Sequence, residues 1–182
     1  MRAYKFLGAG GVGPFSGFTW PLPARGEPGG WVAPSSDAPP PFRDAVSACS
    51  AEQLAYWVNA ELWEAELVDP VSVAERVVSA SRGRLVRRID SWDPKIAEEY
   101  LAVCLERARG HAAAADHREV TVYARSAEAL AHRGPALTAF IAAHTAGVRA
   151  EVMNEASYER GCRAERLWQS AWLVERLGLE AA

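Results

Sequence analysis

The stretch Glu61-Leu62-Trp63-Glu64-Ala65-Glu66-Leu67 alternates with a period of two. Trp63, Ala65 and Leu67 fall on one face of an extended chain and Glu64 and Glu66 on the other, because successive strand side chains point to opposite sides. A strand of this kind needs neighbours to pair with and a cover for its apolar face. Asp69-Pro70 is expected to end it. Downstream, Ala74 to Ala80 and Arg84 to Ile89 read as two antiparallel strands turning around Arg82-Gly83, where glycine permits the turn. Leu85, Arg87 and Ile89 share one face of the second, and Arg84, Val86 and Arg88 take the other. Upstream, Tyr4-Lys5-Phe6-Leu7 is a first strand, broken by Gly13-Pro14, with Phe15 to Trp20 a second extended piece. Residues 21–42, dense in proline from Pro21 to the Pro39–Pro41 run, are a loop, since so many prolines cannot supply ladder donors. Ser50 caps a short, largely apolar helix over 51–59, with Glu52 and Gln53 in its first turn. Residues 1–92 thus read as a small antiparallel sheet with one short helix.

The composition changes near residue 93, after which Ala, Glu, Arg and Leu dominate. Asp93 is an N-cap and Pro94 a first helical residue. Ile96, Tyr100, Val103, Cys104 and Arg107 then recur at helical spacing up to Gly110. A second helix is expected over 120–132, stopped by Gly134-Pro135, a third over 135–152, and a fourth over 157–177, ending at Gly178. Leu167, Trp168, Ala171, Trp172, Leu173 and Leu177 give the last a broad apolar stripe. The expected fold class is α+β: a small antiparallel sheet packed against about four helices, as one domain over 1–182. In that arrangement Trp168, Trp172 and Leu177 cover the face made by Trp63, Ala65 and Leu67.

The chain has 182 residues, 49% hydrophobic and 24% charged, enough for an ordinary core. A net charge of −3 argues against a nucleic-acid-coating protein and a polybasic membrane binder. No apolar run approaches the ~18 residues that span a bilayer. Three dispersed cysteines without a CxxC pair, and no apolar segment of signal-peptide length, predict a cytoplasmic protein. All but two of the 20 basic residues are arginine, the lysines being Lys5 and Lys95, a bias typical of GC-rich genomes such as those of actinobacteria.

Gly8-Ala9-Gly10-Gly11-Val12-Gly13 matches GxGxxG after a strand. The dinucleotide fingerprint needs a helix to begin at that loop, and Pro14-Phe15-Ser16-Gly17 is not one, so the segment reads as a flexible turn. His111, His117, His132 and His144 have no metal-ligand spacing and read as core or surface histidines, and no metal or cofactor is implied. Glu64 and Glu66 lie about 7 Å apart on one strand face. Paired carboxylates can act as acid and base when their environments differ. With Arg84 and Arg88 on a neighbouring strand the same residues equally make cross-strand charge pairs. Of the tryptophans at 20, 31, 57, 63 and 92, most are core and one or two are free to line a pocket, Trp57 and Trp63 first among them.

Tyr4-Lys5-Phe6, Phe15-Ser16-Gly17-Phe18, Trp31, Leu54-Ala55-Tyr56-Trp57, Glu61 to Leu67 and Arg82-Gly83-Arg84-Leu85-Val86-Arg87-Arg88 together resemble an uncharacterised family of actinobacterial proteins, as does the closing run from Glu165 to Leu179. The first half is also distantly similar to domains of unknown function in bacterial and phage proteins. The resemblance implies a shared fold, not an activity. It also implies a Gly-hydrophobic-His-Ala-Cys segment before the tryptophan helix, where this chain has Ala45-Val46-Ser47-Ala48-Cys49, so Ser47 stands at the histidine position.

Three functional expectations follow. The first is a small-molecule enzyme or binding protein, of actinobacterial specialised metabolism, with a pocket between sheet and helices: Trp57, Trp63, Arg84 and Arg88 for the ligand, and Glu64 and Glu66 as carboxylates for catalysis. The alternative is a non-catalytic interaction protein that docks a partner or a second copy through the C-terminal helix. The third is an ADP-ribosyltransferase-like enzyme, with Tyr56 or Trp57 as the stacking aromatic and Glu64 as the glutamate.

Overall fold

The computed structural model describes residues 1–34 and 44–180; the Pro39–Pro41 run lies outside the described residues. The fold is α+β, with a curled antiparallel sheet in the N-terminal half and four helices in the C-terminal half. By its internal contacts the chain forms two compact units, one of Met1–Trp92 with Leu177–Ala182 and one of Asp93–Arg176.

The sheet unit has strands β1 (Arg2–Leu7), β2 (Val46–Ala48), β3 (Glu61–Val73) and β4 (Val78–Arg88), in the order β1-β3-β4-β2. Tyr4 and Cys49 exchange backbone hydrogen bonds of 2.8 Å in both directions, which brings the two ends of that order together and curls the sheet. On its inner face Trp63, Ala65 and Leu67 pack with Ala3, Leu7, Trp20, Val46 and Leu85 in one buried cluster. The alternation that marks β3 in the sequence is therefore the alternation between this cluster and the outer face.

The hairpin differs from expectation. Its turn lies at 74–77, closed by Ala74 N–H donating to Val77 O at 2.9 Å, and β4 runs straight through Gly83. Gly83 is needed for close approach: a Cβ there would sit 3.0 Å from side-chain atoms of both Leu67 and Val46. Val32 pairs with the same residue through two backbone bonds, so part of the proline-rich loop is laid along β4. Pro70 does not end β3 either, because a register shift between Val68 and Val71 absorbs it, and a bulge tolerates a residue without an N–H. Residues 15–20 are not a strand: Gly13 N–H donates to Phe18 O and Gly17 N–H to Gly13 O, which folds the segment into a tight loop. The helix expected over 51–59 is a 3-10 turn at Ala51–Tyr56, its start held by Gln53 Oε1 accepting from Ser50 N–H at 3.0 Å.

The helical unit holds α1 (Pro94–Ala115), α2 (Arg118–Leu130) and α3 (Pro135–Val152), with most of α4 (Tyr158–Leu177). Asp93 caps α1 by accepting from Ile96 N–H at 2.8 Å, and α1 continues through Gly110 rather than stopping there. Gly134 takes a φ of 104° before Pro135, and Gly178 a φ of 63° after α4, both values that favour glycine. Where α3 meets α4, a Cβ on Gly161 would lie 2.7 Å from Ala150 Cβ and 2.8 Å from Ala146 O, so glycine sets how closely these helices approach.

The burial of α4 is not the one its apolar stripe predicts. Leu173 and Leu177 are buried, Trp168 and Trp172 are half-buried, and Leu167 and Ala171 are exposed. The other buried positions include Glu165, Arg166, Gln169 and Ser170. A polar face can be buried when its groups find partners, and here the partners come from other helices.

Candidate functional site

The outer face of the sheet carries the charged residues singled out in the sequence. The β3–β4 register sets Glu66 opposite Arg84 and Glu64 opposite Arg87. Arg84 Nε donates to Glu66 at 2.7 Å, and Arg87 Nε to Glu64 at 2.7 Å. Arg2 also bonds Glu64, and its own guanidinium reaches Glu180. Arg88 belongs to neither pair: the register shift between Glu64 and Ala65 places it opposite Trp63, and its charge lies 3.8 Å from Glu61 and from Asp90. Trp63 is in the core, its indole N–H donating to Glu61 at 3.2 Å. Glu64 and Glu66 are thus each engaged by arginine in cross-strand pairs.

The glycine-rich loop receives a carboxylate from its own chain. Gly10 and Gly11, both at positive φ, donate their N–H groups to the two oxygens of Glu61 at 3.1 Å. This is the turn expected from the sequence, with its amides satisfied internally.

A separate cavity of about 110 Å³ opens beside the seam where β1 meets the segment after β2. Phe15, Phe18, Trp20 and Trp57 line it, together with Lys5 and Ser47. Its volume is on the scale of a single aromatic ring. Trp57 is the one ligand residue expected from the sequence that takes part, its indole N–H donating to Arg76 O and its ring edge-on to Phe15 at 6.1 Å. Phe15 is 66% exposed and Phe18 45%, so the aromatic surface continues to solvent instead of closing into core. Exposed aromatics gathered at a cavity mouth are a feature of binding sites.

Lys5 is the charged residue among those that line this cavity. It shares its face of β1 with the buried Ala3 and Leu7, lies 4.8 Å over the Trp20 ring, and donates to Ser47 O. Among the described residues no carboxylate pairs with it. Burial lowers its amine to about 8, the neighbouring Cys49 thiol acting weakly the other way. Cys49 donates to Tyr4 O at 3.2 Å, and burial pushes its thiol up to about 12, which disfavours the thiolate. The sequence marks Lys5 only by rarity; its enclosure depends on Trp20 and Ser47, far along the chain.

The helical unit has its own polar cluster. Glu165, 2% exposed, accepts from Arg107 at 2.5, 3.1 and 3.3 Å and faces His111 Nε2 at 3.0 Å. Burial alone would raise this carboxyl, but hydrogen bonds and charge from His111 and Arg107 outweigh it and hold the group below its ordinary range. Gln169 bonds both Glu165 and Ala139 O, and Arg107 lies 4.3 Å over the Trp168 ring. His117 caps α2, His132 meets Ala129 O, and His144 packs among Tyr123, Phe140 and Tyr158. Among the described residues no group of His, Cys, Asp and Glu is placed to hold a metal ion, and no helix is long and apolar enough to cross a membrane. Compared with known proteins, the chain matches no family model, no curated protein and no solved structure.

Proposed function

We propose that the sheet unit binds a small molecule with a single aromatic ring and an anionic or hydrogen-bond-accepting group, seated in the Phe15–Trp20–Trp57 cavity with its polar end at Lys5. The observation that carries this reading is a cavity-lining amine over the Trp20 ring with no carboxylate partner among the described residues. Enclosing an ammonium group without a counter-ion is costly, and such an arrangement is more common at ligand sites than in plain structural cores. Trp20 and Trp57 supply flat apolar contact and Lys5 the orienting charge. Glu66 is paired with Arg84, and Glu64 with Arg87 and Arg2, which leaves these carboxylates little charge for a ligand.

Benzoate is a suitable probe, followed by amide chemical shifts on the whole protein. Saturable shifts are expected around Lys5, Trp20 and Ser47, with a Kd on the order of 1 mM, about 4 kcal/mol of binding. Lys5→Met should weaken binding at least ten-fold, while Arg84→Ala should leave it unchanged. Shifts centred on Glu66 and Arg84, or no saturation by about ten times that Kd, would overturn the proposal.

A further inference from the structure

Resting on that reading of the cavity, we infer that Lys5 captures aromatic aldehydes as a Schiff base, the ring lying between Trp20 and Phe15 and the carbonyl carbon at Nζ. The geometry supplies what the reaction needs. Nζ is held at the cavity by its bond to Ser47 O and by the Trp20 face, so a ring in the cavity places its substituent at the amine. No carboxylate among the described residues pins the amine as a permanent ion pair. The apolar surroundings lower the amine to about 8 and so favour the uncharged, nucleophilic form, giving Lys5 a larger neutral share at pH 8 than an ordinary lysine near 10.4, which is under about 1% neutral there.

The step is balanced without any oxidant or metal. The nitrogen lone pair adds to the carbonyl carbon, a proton passes from nitrogen to the oxygen, and the resulting carbinolamine expels water to leave a C=N bond. One aldehyde and one amine give one imine and one water.

The chain carries its own control. Its only other lysine, Lys95, is exposed at the start of α1. The full-length protein is incubated at pH 8 with benzaldehyde and cyanoborohydride, the hydride donor that traps the imine as a secondary amine, and the adducts are located by peptide mass mapping. Lys5 should be modified at least ten times faster than Lys95. Benzoate should slow the Lys5 adduct and leave Lys95 unaffected, and glyoxylate, an aldehyde without a ring, should favour Lys5 less than benzaldehyde does, its preference coming from the neutral amine alone. Equal rates at the two lysines, or a Lys5 rate that benzoate leaves unchanged, overturn the inference. If benzoate still saturates the cavity in the amide spectra, only the covalent step has failed; if it does not bind at all, the cavity reading fails with it.

Discussion

Glu165→Ala tests whether the buried polar face of α4 is held by its partners. The carboxylate is 2% exposed and receives Arg107, His111 and Gln169. Removing one member of a buried pair costs about 3–5 kcal/mol, because the remaining charge is left without compensation. Arg107 has 35% of its side chain exposed and can turn toward water, which reduces the expected loss to about 2–4 kcal/mol. Glu165→Gln keeps an acceptor oxygen and the shape but not the charge, and should cost about 1–2 kcal/mol. The assay is urea unfolding followed at 222 nm, a signal dominated by the helices. The pH dependence has a definite sign. The folded carboxyl titrates below its ordinary value of about 4.3, so its contribution is complete above that pH and is lost as pH falls through the folded value. The gap between wild type and Glu165→Gln should therefore be full at pH 7 and shrink below about pH 4. A loss under about 1 kcal/mol for Glu165→Ala, or a gap that stays constant into acid, would refute the reasoning.

Two glycines should respond in opposite directions. Gly110→Ala adds a methyl with nothing within 4 Å in mid-helix and should stabilise by about 0.5–1 kcal/mol, whereas Gly161→Ala drives a Cβ to 2.8 Å from Ala146 O and should destabilise by about 1–2 kcal/mol net in the same unfolding assay. Asp93→Ala removes the α1 cap and should cost about 1 kcal/mol. For Lys5, whose folded amine titrates at about 8 against about 10.4 unfolded, the group's contribution to stability rises with pH across that window, and subtracting the Lys5→Met pH profile from that of the wild type should leave this rise. Cys49 and Cys104 are buried with thiols pushed up to about 12, so a thiol reagent at pH 8 should modify Cys162 first and reach the other two only on unfolding.

What the sequence determines by itself is local. The period of two at 61–67, the Asp93-Pro94 cap, the Gly134-Pro135 break and the glycine after α4 each depend on a few neighbouring residues, and each stands in the structure where the chain places it. The α+β class follows from those signals. The departures share one cause. Gly83 has the composition of a turn, but what demands a glycine is the approach of Leu67 and Val46. The face of α4 that looks polar is buried because Arg107 and His111, more than 50 residues earlier, meet Glu165. Lys5 is an unremarkable strand residue until Trp20 and Ser47 surround its amine. Propensity, periodicity and capping act over a turn or a strand, whereas desolvation and the pairing of buried polar groups depend on which distant segments the fold brings together, so only the tertiary structure decides them.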